Sequence, residues 1–382
     1  MNHALIIGCG IVGAVIAREL ADNGVYVDLW ERRNHIGGNM YDYVDDHGIL
    51  VHKYGPHCFH TGKKTLIDYI SRFAKWIDYE LQCGAEINGI CTPSPFNFKT
   101  IDDFYDKKKA AEIKKHIAGI YGNRETATVL ELLNCSDRLV REYAEFLFES
   151  DYSLYTAKQW GIAPDKIDPS VLKRVPIRFN YREAYFDDEY QVMPAESYTE
   201  FFVSLLKHDR IKLQLNIDAL SNIEIRGENI YINGRLADYP VIYTGAIDEL
   251  FGKQYGALPY RSLRFEWYHE NKDRLQKYPV VAYPQADGYT RIVEFKMLPK
   301  QIVSGTTYEV EYPLPYTKEN SAEPFYPVLT KESKKLYEKY LQKSRTVNNL
   351  VLCGRLADFK YYNMDQALER ALEISRYIIE RF

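Results

Sequence analysis

The sequence lacks three features that would each define a class of protein. No apolar run approaches the roughly 18 residues that a membrane-spanning helix needs, and the N-terminus has no pattern of a secretion signal. The six cysteines are scattered without a C-x-x-C pair, which predicts a reducing compartment and hence a cytoplasmic protein. The formal net charge of −4 offers no attraction to nucleic acid, so an anionic ligand must be bound by a local group of arginines.

The apolar pattern predicts an α/β protein with interleaved domains. A buried-strand run at residues 4–7, a helix over 13–23 and a second strand over 25–30 form a βαβ opening. The same reasoning along the chain predicts three units: a discontinuous Rossmann-like domain of residues 1–78, 201–256 and 325–382, an inserted helical domain of residues 79–150, and an antiparallel-sheet substrate domain of residues 151–200 and 257–324.

A glycine-rich turn joins the first predicted strand to the first helix. Gly8, Gly10 and Gly13 form a G-x-G-x-x-G pattern, which lets the backbone approach a pyrophosphate at the helix N-terminus. Glu31 ends the second strand about 20 residues later, where this pattern places an acid for a ribose hydroxyl. We therefore predict a dinucleotide site, and the alternative is a glycine turn that serves packing alone.

The residues that follow Glu31 favour FAD over NAD. Arg32 and Arg33 lead into a second glycine pair and Asn39, where a long cofactor needs further backbone approach, and we assign Arg32, Gly38 and Asn39 to it. A disulfide reductase would need a redox cysteine pair and usually a second glycine fingerprint, and the sequence has neither. The arrangement resembles flavoproteins of the glutathione-reductase-like and amine-oxidase-like group, so FAD is the predicted cofactor.

Several short stretches, taken together, resemble the bacterial UDP-galactopyranose mutase family over almost the whole chain. They are residues 52–61, 155–160, 176–179, 185–191, 260–263, 289–292, 323–327 and 354–362. The resemblance implies a homodimer that interconverts the pyranose and furanose forms of a UDP-hexose. It also implies that FAD acts in its reduced form, with N5 attacking the anomeric carbon and displacing UDP.

Three arginines, Arg178, Arg261 and Arg291, stand beside strand-like aromatic sequence. A desolvated diphosphate suits the planar fork of arginine better than lysine, although a surface ion pair is the alternative for any single one. The resemblance implies a substrate site of Tyr155, Trp160, Arg178, Tyr190, Arg261, Arg291, Tyr326, Tyr361, Tyr362 and Asn363. It implies catalytic roles for Arg261, Arg291, His60 and Glu311, and flavin contacts from His57, Gly354, Arg355, Tyr362 and Met364.

The histidine cluster at residues 52–60 has three interpretations. His52, His57, Cys58 and His60 suggest a metal, but no spacing there matches a zinc site, so we predict none. A structural turn and a loop that faces the flavin remain, and the second is favoured. Two rival functions also stay open: a flavin oxidoreductase, which would consume an electron acceptor, and a non-catalytic binding module, which would bind ligand without product.

Three departures from the family pattern suggest a sugar other than galactose. The chain has Asn363 where relatives have an acid and Asp365 where they have a histidine, apolar side chains in the stretch Glu294–Met297 where they have histidines, and Val192-Met193 where they have a glycine. An unpaired buried hydroxyl is penalised, so fewer polar partners favour a less hydroxylated sugar. dTDP-fucopyranose fits this direction, UDP-N-acetylgalactosamine fits it less well because it needs more room, and neutral drift leaves UDP-galactose.

Overall fold

The computed structural model describes residues 3–160, 175–317 and 323–381. A five-stranded parallel sheet forms its first layer, with the strands in spatial order Ile211–Gln214, Tyr26–Trp30, His3–Ile7, Val241–Tyr243 and Leu350–Leu352. Helices Ile11–Asp22 and Met364–Arg381 pack on each other, and the first also packs on this sheet. The predicted Rossmann-like α/β architecture is confirmed, with the βαβ opening within two residues of its expected bounds.

A seven-stranded sheet forms the second layer. Its strands in spatial order are Tyr326–Pro327, Tyr260–Glu270, Thr306–Pro315, Arg291–Glu294, Val280–Ala282, Cys83–Ile87 and Ile90–Ser94. All neighbours are antiparallel except Val280–Ala282 and Cys83–Ile87, which run parallel. The predicted antiparallel sheet over residues 257–324 therefore exists in the described residues, and it recruits two strands from farther up the chain.

Two segments differ from the secondary structure we expected. The segment 79–150 begins with the strands Cys83–Ile87 and Ile90–Ser94, because their apolar residues complete the large sheet by pairing beside Val280–Ala282. The described part of 151–200 adds no strand to that sheet. Its strand Tyr190–Pro194 lies instead between Phe59–Thr61 and Trp76–Asp78, and Ile177–Arg178 pairs with Thr126–Ala127. The three-domain division itself stays a prediction.

The helical segment has its own apolar core. Its elements are Phe98–Phe104, Lys107–Tyr121, Val129–Leu133, Arg138–Leu147, a π-helical turn at Phe148–Tyr152, and Ser153–Trp160. Asn97, Asp106, Thr128 and Asp137 cap the first four helices through side-chain oxygens, which satisfies backbone N–H groups that have no partner inside the helix. These caps explain why the lysine-rich sequence divides into separate short helices.

The remaining elements surround the two sheets. The helices are Lys64–Ile70, Tyr198–Leu206, Ile247–Leu250 and Lys331–Ser344, with 3₁₀ turns at Gly38–Met40 and Ala219–Ser221. The strands are a hairpin, Asp42–Val44 with Leu50–His52, and a meander, Ile223–Arg226, Asn229–Ile232 and Arg235–Leu236. Among the described helices, none combines the length and apolar character that crossing a bilayer requires.

Candidate active site

A long cleft opens at the carboxyl ends of the parallel strands, where open α/β sheets bind ligands. Residues that follow each of the five parallel strands line it and it is open to solvent, so an extended dinucleotide fits along it. We call it the cofactor cleft. Of the residues predicted to bind FAD, those that line it are Gly8, Gly10, Gly13, Glu31, Arg32, Gly38, Asn39, His57, Gly354, Arg355 and Met364.

The glycine turn leaves space for a ligand backbone at one end of the cleft. Gly8 has φ +101°, and a Cβ at Gly13 would lie 1.9 Å from the Gly8 carbonyl oxygen, so the turn and the helix close up only without side chains. Gly38 has φ +57°, and a Cβ there would lie 2.8 Å from Cα of Gly10. The cleft wall is therefore bare backbone beside the N-terminus of helix Ile11–Asp22, which suits a pyrophosphate.

Glu31 organises this turn from the end of the second strand. Its Oε2 accepts a hydrogen bond of 2.7 Å from the Cys9 N–H, and its Oε1 accepts one of 2.9 Å from the Arg33 N–H. Arg33 in turn donates to Asn39 Oδ1 at 3.0 and 3.1 Å. The buried carboxylate thus keeps the glycine turn and the second glycine pair in register, and it lines the cleft where a ribose hydroxyl is expected.

The far end of the cleft is polar but held rigidly. Arg355 donates to the carbonyl of Tyr362 at 2.5 Å and to that of Phe325 at 3.4 Å. The Nδ1 of His57 donates a hydrogen bond of 2.8 Å to the Gly55 carbonyl. Burial, followed by the positive charges of Arg355 and Arg291, lowers the pKa of His57 to about 4 in spite of that hydrogen bond. The imidazole is therefore neutral at physiological pH beside two cationic groups.

Arg291 and Glu311 form an ion pair next to this end of the cleft. Arg291 Nε donates to Glu311 Oε2 at 2.5 Å, across the register of two paired strands. Burial opposes the charge of Arg291, but Glu311 outweighs it, and the pKa of Arg291 is raised well above its usual value. A Cβ at Gly55 would lie 3.3 Å from Glu311 Oε1 and 3.8 Å from Arg291 Nη2. The loop that carries His57 therefore covers this pair closely.

Tyrosines surround the pair and extend it toward Arg355. Tyr326 stacks on Tyr361 with ring centroids 5.4 Å apart, and the Arg355 guanidinium carbon lies 5.1 Å from the Tyr326 centroid. Burial raises the pKa of Tyr155 and of Tyr326, although the charge of Arg291 opposes this at both rings. These phenols therefore stay protonated and keep hydroxyl donors near the two arginines.

Arg261 differs from Arg291 because it has no acidic partner within the described ranges. One guanidinium nitrogen donates to the carbonyl of Lys158 at 3.4 Å, while its buried Nε has no hydrogen-bond partner there. Burial lowers the pKa of Arg261. Its backbone carbonyl accepts a hydrogen bond of 2.9 Å from the N–H of Phe325, which lines the cofactor cleft. A half-buried cation beside the cleft, without a carboxylate, is arranged to meet an anion.

Comparison with known proteins identifies the family. The family model described as UDP-galactopyranose mutase matches residues 152–361, and one described as an NAD(P)-binding Rossmann-like domain matches residues 6–73. The chain is 32% identical to UDP-galactopyranose mutase of Mycoplasma pneumoniae, over 98% of this chain and 96% of that protein.

The chain belongs to the UDP-galactopyranose mutase family.

A second relative and a solved structure extend the comparison. The chain is 33% identical to dTDP-fucopyranose mutase of Escherichia coli, over 100% of this chain and 99% of that protein. A crystal structure of reduced UDP-galactopyranose mutase matches its fold with a TM-score of 0.70 at 14% identity, covering 100% of this chain and 96% of that one. The predictions of a nucleotide-sugar mutase and of FAD as its cofactor are confirmed.

Four residues expected in the mutase site, Arg178, His60, Tyr190 and Tyr362, have partners within the protein. Arg178 is buried and donates to the carbonyls of Ala184 and Tyr185 and to Asp187, so its donors are used within the protein. His60 bonds Asp188 at 2.7 Å and stacks on Phe186 at 3.6 Å, and it does not line the cofactor cleft.

Tyr190 lies beside Glu189 and Lys64 rather than with the arginines. Tyr362 contributes its carbonyl to Arg355, while its hydroxyl donates to Asp358 at 3.1 Å. Asn363 does line the cleft, and the side chain of Trp160 lies outside the described residues. The functional role of every residue in the predicted set stays a prediction.

Several cleft residues were absent from the sequence prediction. They follow the other parallel strands or lie across from them: Ile217, Asp218, Thr244, Gly245, Glu249 and Glu323. Their position after predicted strands could have indicated them. Thr244-Gly245 directly follows the strand Val241–Tyr243, and the carboxyl ends of parallel strands lie at the same edge of a sheet. Glu323 pairs with both Arg32 and Arg33, which no local pattern indicates across 290 residues.

Proposed function

We propose that the protein interconverts UDP-galactopyranose and UDP-galactofuranose with reduced FAD in the cofactor cleft. The observation that carries this proposal is Arg261, a half-buried cation without a carboxylate partner among the described residues, on the strand that pairs with the strand of Glu311. Arg261 and the ion-paired Arg291 supply two guanidinium groups, which suit a second diphosphate, that of the sugar nucleotide.

The cleft residues fit FAD on their own geometry. Bare backbone at Gly10 and Gly38 leaves room for the pyrophosphate, Glu31 is placed for a ribose, and the N-terminus of helix Met364–Arg381 opens onto the far end. That helix end favours negative charge, which an electron-rich ring system carries. Reduced FAD, when bound, supplies a nucleophilic nitrogen for covalent catalysis at the anomeric carbon of the sugar.

The protein's own contribution is to bind the departing diphosphate and hold the sugar in place. Arg261 and Arg291 stabilise the charge that grows on the diphosphate oxygens as the glycosidic bond breaks. The hydroxyls of Tyr155 and Tyr326 stay protonated and are available as hydrogen-bond donors to the same anion. His57 is neutral, so it adds no positive charge beside Arg355 and Arg291.

The deciding experiment reduces the flavin-loaded protein with dithionite, adds UDP-galactose and resolves the products by anion-exchange chromatography. A furanose product that forms only in the reduced sample supports the proposal. Oxygen uptake is measured in parallel, since the oxidoreductase alternative requires an electron acceptor and a mutase does not. Binding of UDP without any furanose product would favour the non-catalytic alternative and contradict the proposal.

A second substrate deserves the same assay, because one relative of nearly full-length coverage is a dTDP-fucopyranose mutase. dTDP-fucopyranose lacks the 6-hydroxyl of galactose. Competition between the two nucleotide sugars on reduced enzyme separates them, and a higher kcat/KM for UDP-galactose would exclude the deoxy sugar as the preferred substrate. UDP-N-acetylgalactosamine is the third member of the panel.

We also propose a cytoplasmic homodimer. All six cysteines are free, which is consistent with a reducing compartment. Light scattering measured on the purified protein tests the dimer, and a monomeric mass would contradict it.

A further inference from the structure

Glu309 is a buried acid that the proposed function does not use. It is 0% exposed, and within the described part of the chain neither of its carboxyl oxygens has a hydrogen-bond partner. It lies on strand Thr306–Pro315, opposite Trp267 on one neighbouring strand and Val293 on the other. A carboxyl group flanked by two apolar side chains has no solvent or backbone donor to stabilise its charge.

Its polar neighbour is Glu311, two residues along the same strand and on the same face of the sheet. Glu311 is 1% exposed; its Oε2 accepts from Arg291, while its Oε1 has no partner in the described residues. Two ionised carboxylates cannot hydrogen-bond each other, because neither has a proton to donate. One proton on Glu309 makes it a donor to Glu311 and satisfies oxygens of both groups.

The charges around Glu309 agree with this protonated state. Burial and the adjacent Glu311 carboxylate raise the pKa of Glu309 well above its ordinary value, with Arg291 opposing them. Tyr43 faces it from the hairpin strand Asp42–Val44, and Glu309 contributes to the raised pKa of that phenol. From the neighbouring strands the facing residues are Trp267 and Val293, which carry no charge. Arg291 is therefore the cation that both Glu309 and Glu311 face, and Glu309 stays neutral.

We propose that Glu309 is a positioning residue: its protonated carboxyl group donates a hydrogen bond to Glu311, and this keeps Arg291 available to bind an anion. With Glu309 neutral, Arg291 and Glu311 together carry no net charge, and the guanidinium nitrogens that do not face Glu311 can bind the nucleotide diphosphate. With Glu309 ionised, a second carboxylate competes for Arg291 and repels the incoming anion. This inference rests on the proposed function, since it takes the diphosphate to be the ligand of Arg291.

The pH dependence follows from the sign of the titration. The neutral form of Glu309 favours nucleotide binding, so wild-type affinity for UDP is full below the pKa of Glu309 and declines as the pH rises through it. Because the nucleotide binds the neutral form better, its binding raises the pKa of Glu309. The UDP affinity declines about tenfold for each pKa unit of that increase. The variant E309Q has no titrating group at this position and keeps a donor for Glu311, so its affinity stays higher than that of wild type on the alkaline side.

The test measures UDP binding to flavin-loaded protein by calorimetry between neutral and alkaline pH. We expect E309L, which has no donor, to bind UDP about tenfold more weakly at neutral pH, and E309Q to restore the affinity. The control is E266Q, a partly exposed glutamate that pairs with Arg264 and lies opposite Val310 on the other face of the same sheet. It should follow the wild-type pH profile, because its carboxylate is distant from Arg291.

An infrared difference spectrum provides a readout that a purely structural role would not change. Wild type minus E309Q should show the C=O stretch of a protonated carboxylic acid at neutral pH, and its absence overturns the inference. Equal UDP affinity in E309L and wild type also overturns it, provided that Arg261→Ala abolishes UDP binding. If Arg261→Ala binds UDP as well as wild type does, the proposed function fails instead.

Discussion

Replacing Arg261 with alanine tests the substrate site with little risk to the fold. Among the described residues, the guanidinium has one weak hydrogen bond, 3.4 Å to the Lys158 carbonyl, and no acid partner. Its removal therefore leaves no carboxylate unpaired. Removing one charge-assisted contact to a largely desolvated phosphate costs about 2–5 kcal/mol, which is roughly a 30-fold to 4,000-fold loss of kcat/KM.

The assay follows furanose formation by the reduced variant, with flavin content measured first by visible absorbance. Arg264→Ala is the matched control, because Arg264 lies on the same strand but is exposed and pairs with Glu266 on the solvent side. We expect it to retain activity within about twofold, as surface substitutions usually do. An Arg261→Ala enzyme within threefold of wild type would refute the assignment of this residue to the diphosphate.

Three further predictions use the same preparations. Gly38→Ala should purify with little FAD, because its Cβ would lie 2.8 Å from Gly10 Cα, whereas Gly48→Ala, at a similarly positive φ of +80° but in open space, should keep its yellow colour; equal flavin content in the two would contradict the geometry. Turnover should require prior reduction by dithionite, and equal rates from oxidised and reduced enzyme would refute the reduced-flavin mechanism. Arg291→Ala should lower the free energy of unfolding by about 3–5 kcal/mol in urea titrations, since it leaves the buried Glu311 without its cation; a loss as small as that of Arg261→Ala would mean that the pair is not buried in solution.

The cofactor cleft was predictable because its signals are local. A glycine pattern, an acid at the end of the next strand and a second glycine pair each depend on a few consecutive residues. Their effect on the backbone, such as the positive φ of Gly8 and Gly38, follows from the absence of a side chain. The strand and helix bounds around them were predicted to within two residues for the same reason.

The partners of His60 and Arg178 were not predictable from local sequence. His60 bonds Asp188, 128 residues away, because the strand Phe59–Thr61 pairs with Tyr190–Pro194. Arg178 looked like a phosphate-binding arginine beside aromatic residues. The loop at 184–187 folds back over it and supplies two carbonyls and a carboxylate, a geometry that depends on the turn rather than on composition.

Glu309 shows how a strand pattern can conceal a buried acid. Residues 307–312 alternate between polar and apolar or aromatic side chains, and the rule that polar residues of a strand face solvent would place Glu309 and Glu311 outside. The structure has the reverse arrangement: both glutamates are buried, while Tyr308 and Tyr312 on the other face are partly exposed. The face of the seven-stranded sheet that carries Glu309 and Glu311 is turned toward the interior, so the charged side chains lie on the buried face.

The location of the three departures from the family pattern changes the argument about the sugar. Phe295 is 0% exposed and stacks on Trp267 at 5.2 Å, while Val192 and Met193 are buried in the apolar core beneath the parallel sheet's helices. These substitutions add apolar contacts within the protein, so packing explains them without reference to a ligand.

Only Asn363 and Met364 line the cofactor cleft, at the start of helix Met364–Arg381. Asn363 in place of an acid removes one negative charge at the cleft, and Asp365 in place of a histidine returns one two residues later. Among the three departures, only this segment lines the cleft and remains an argument about the sugar.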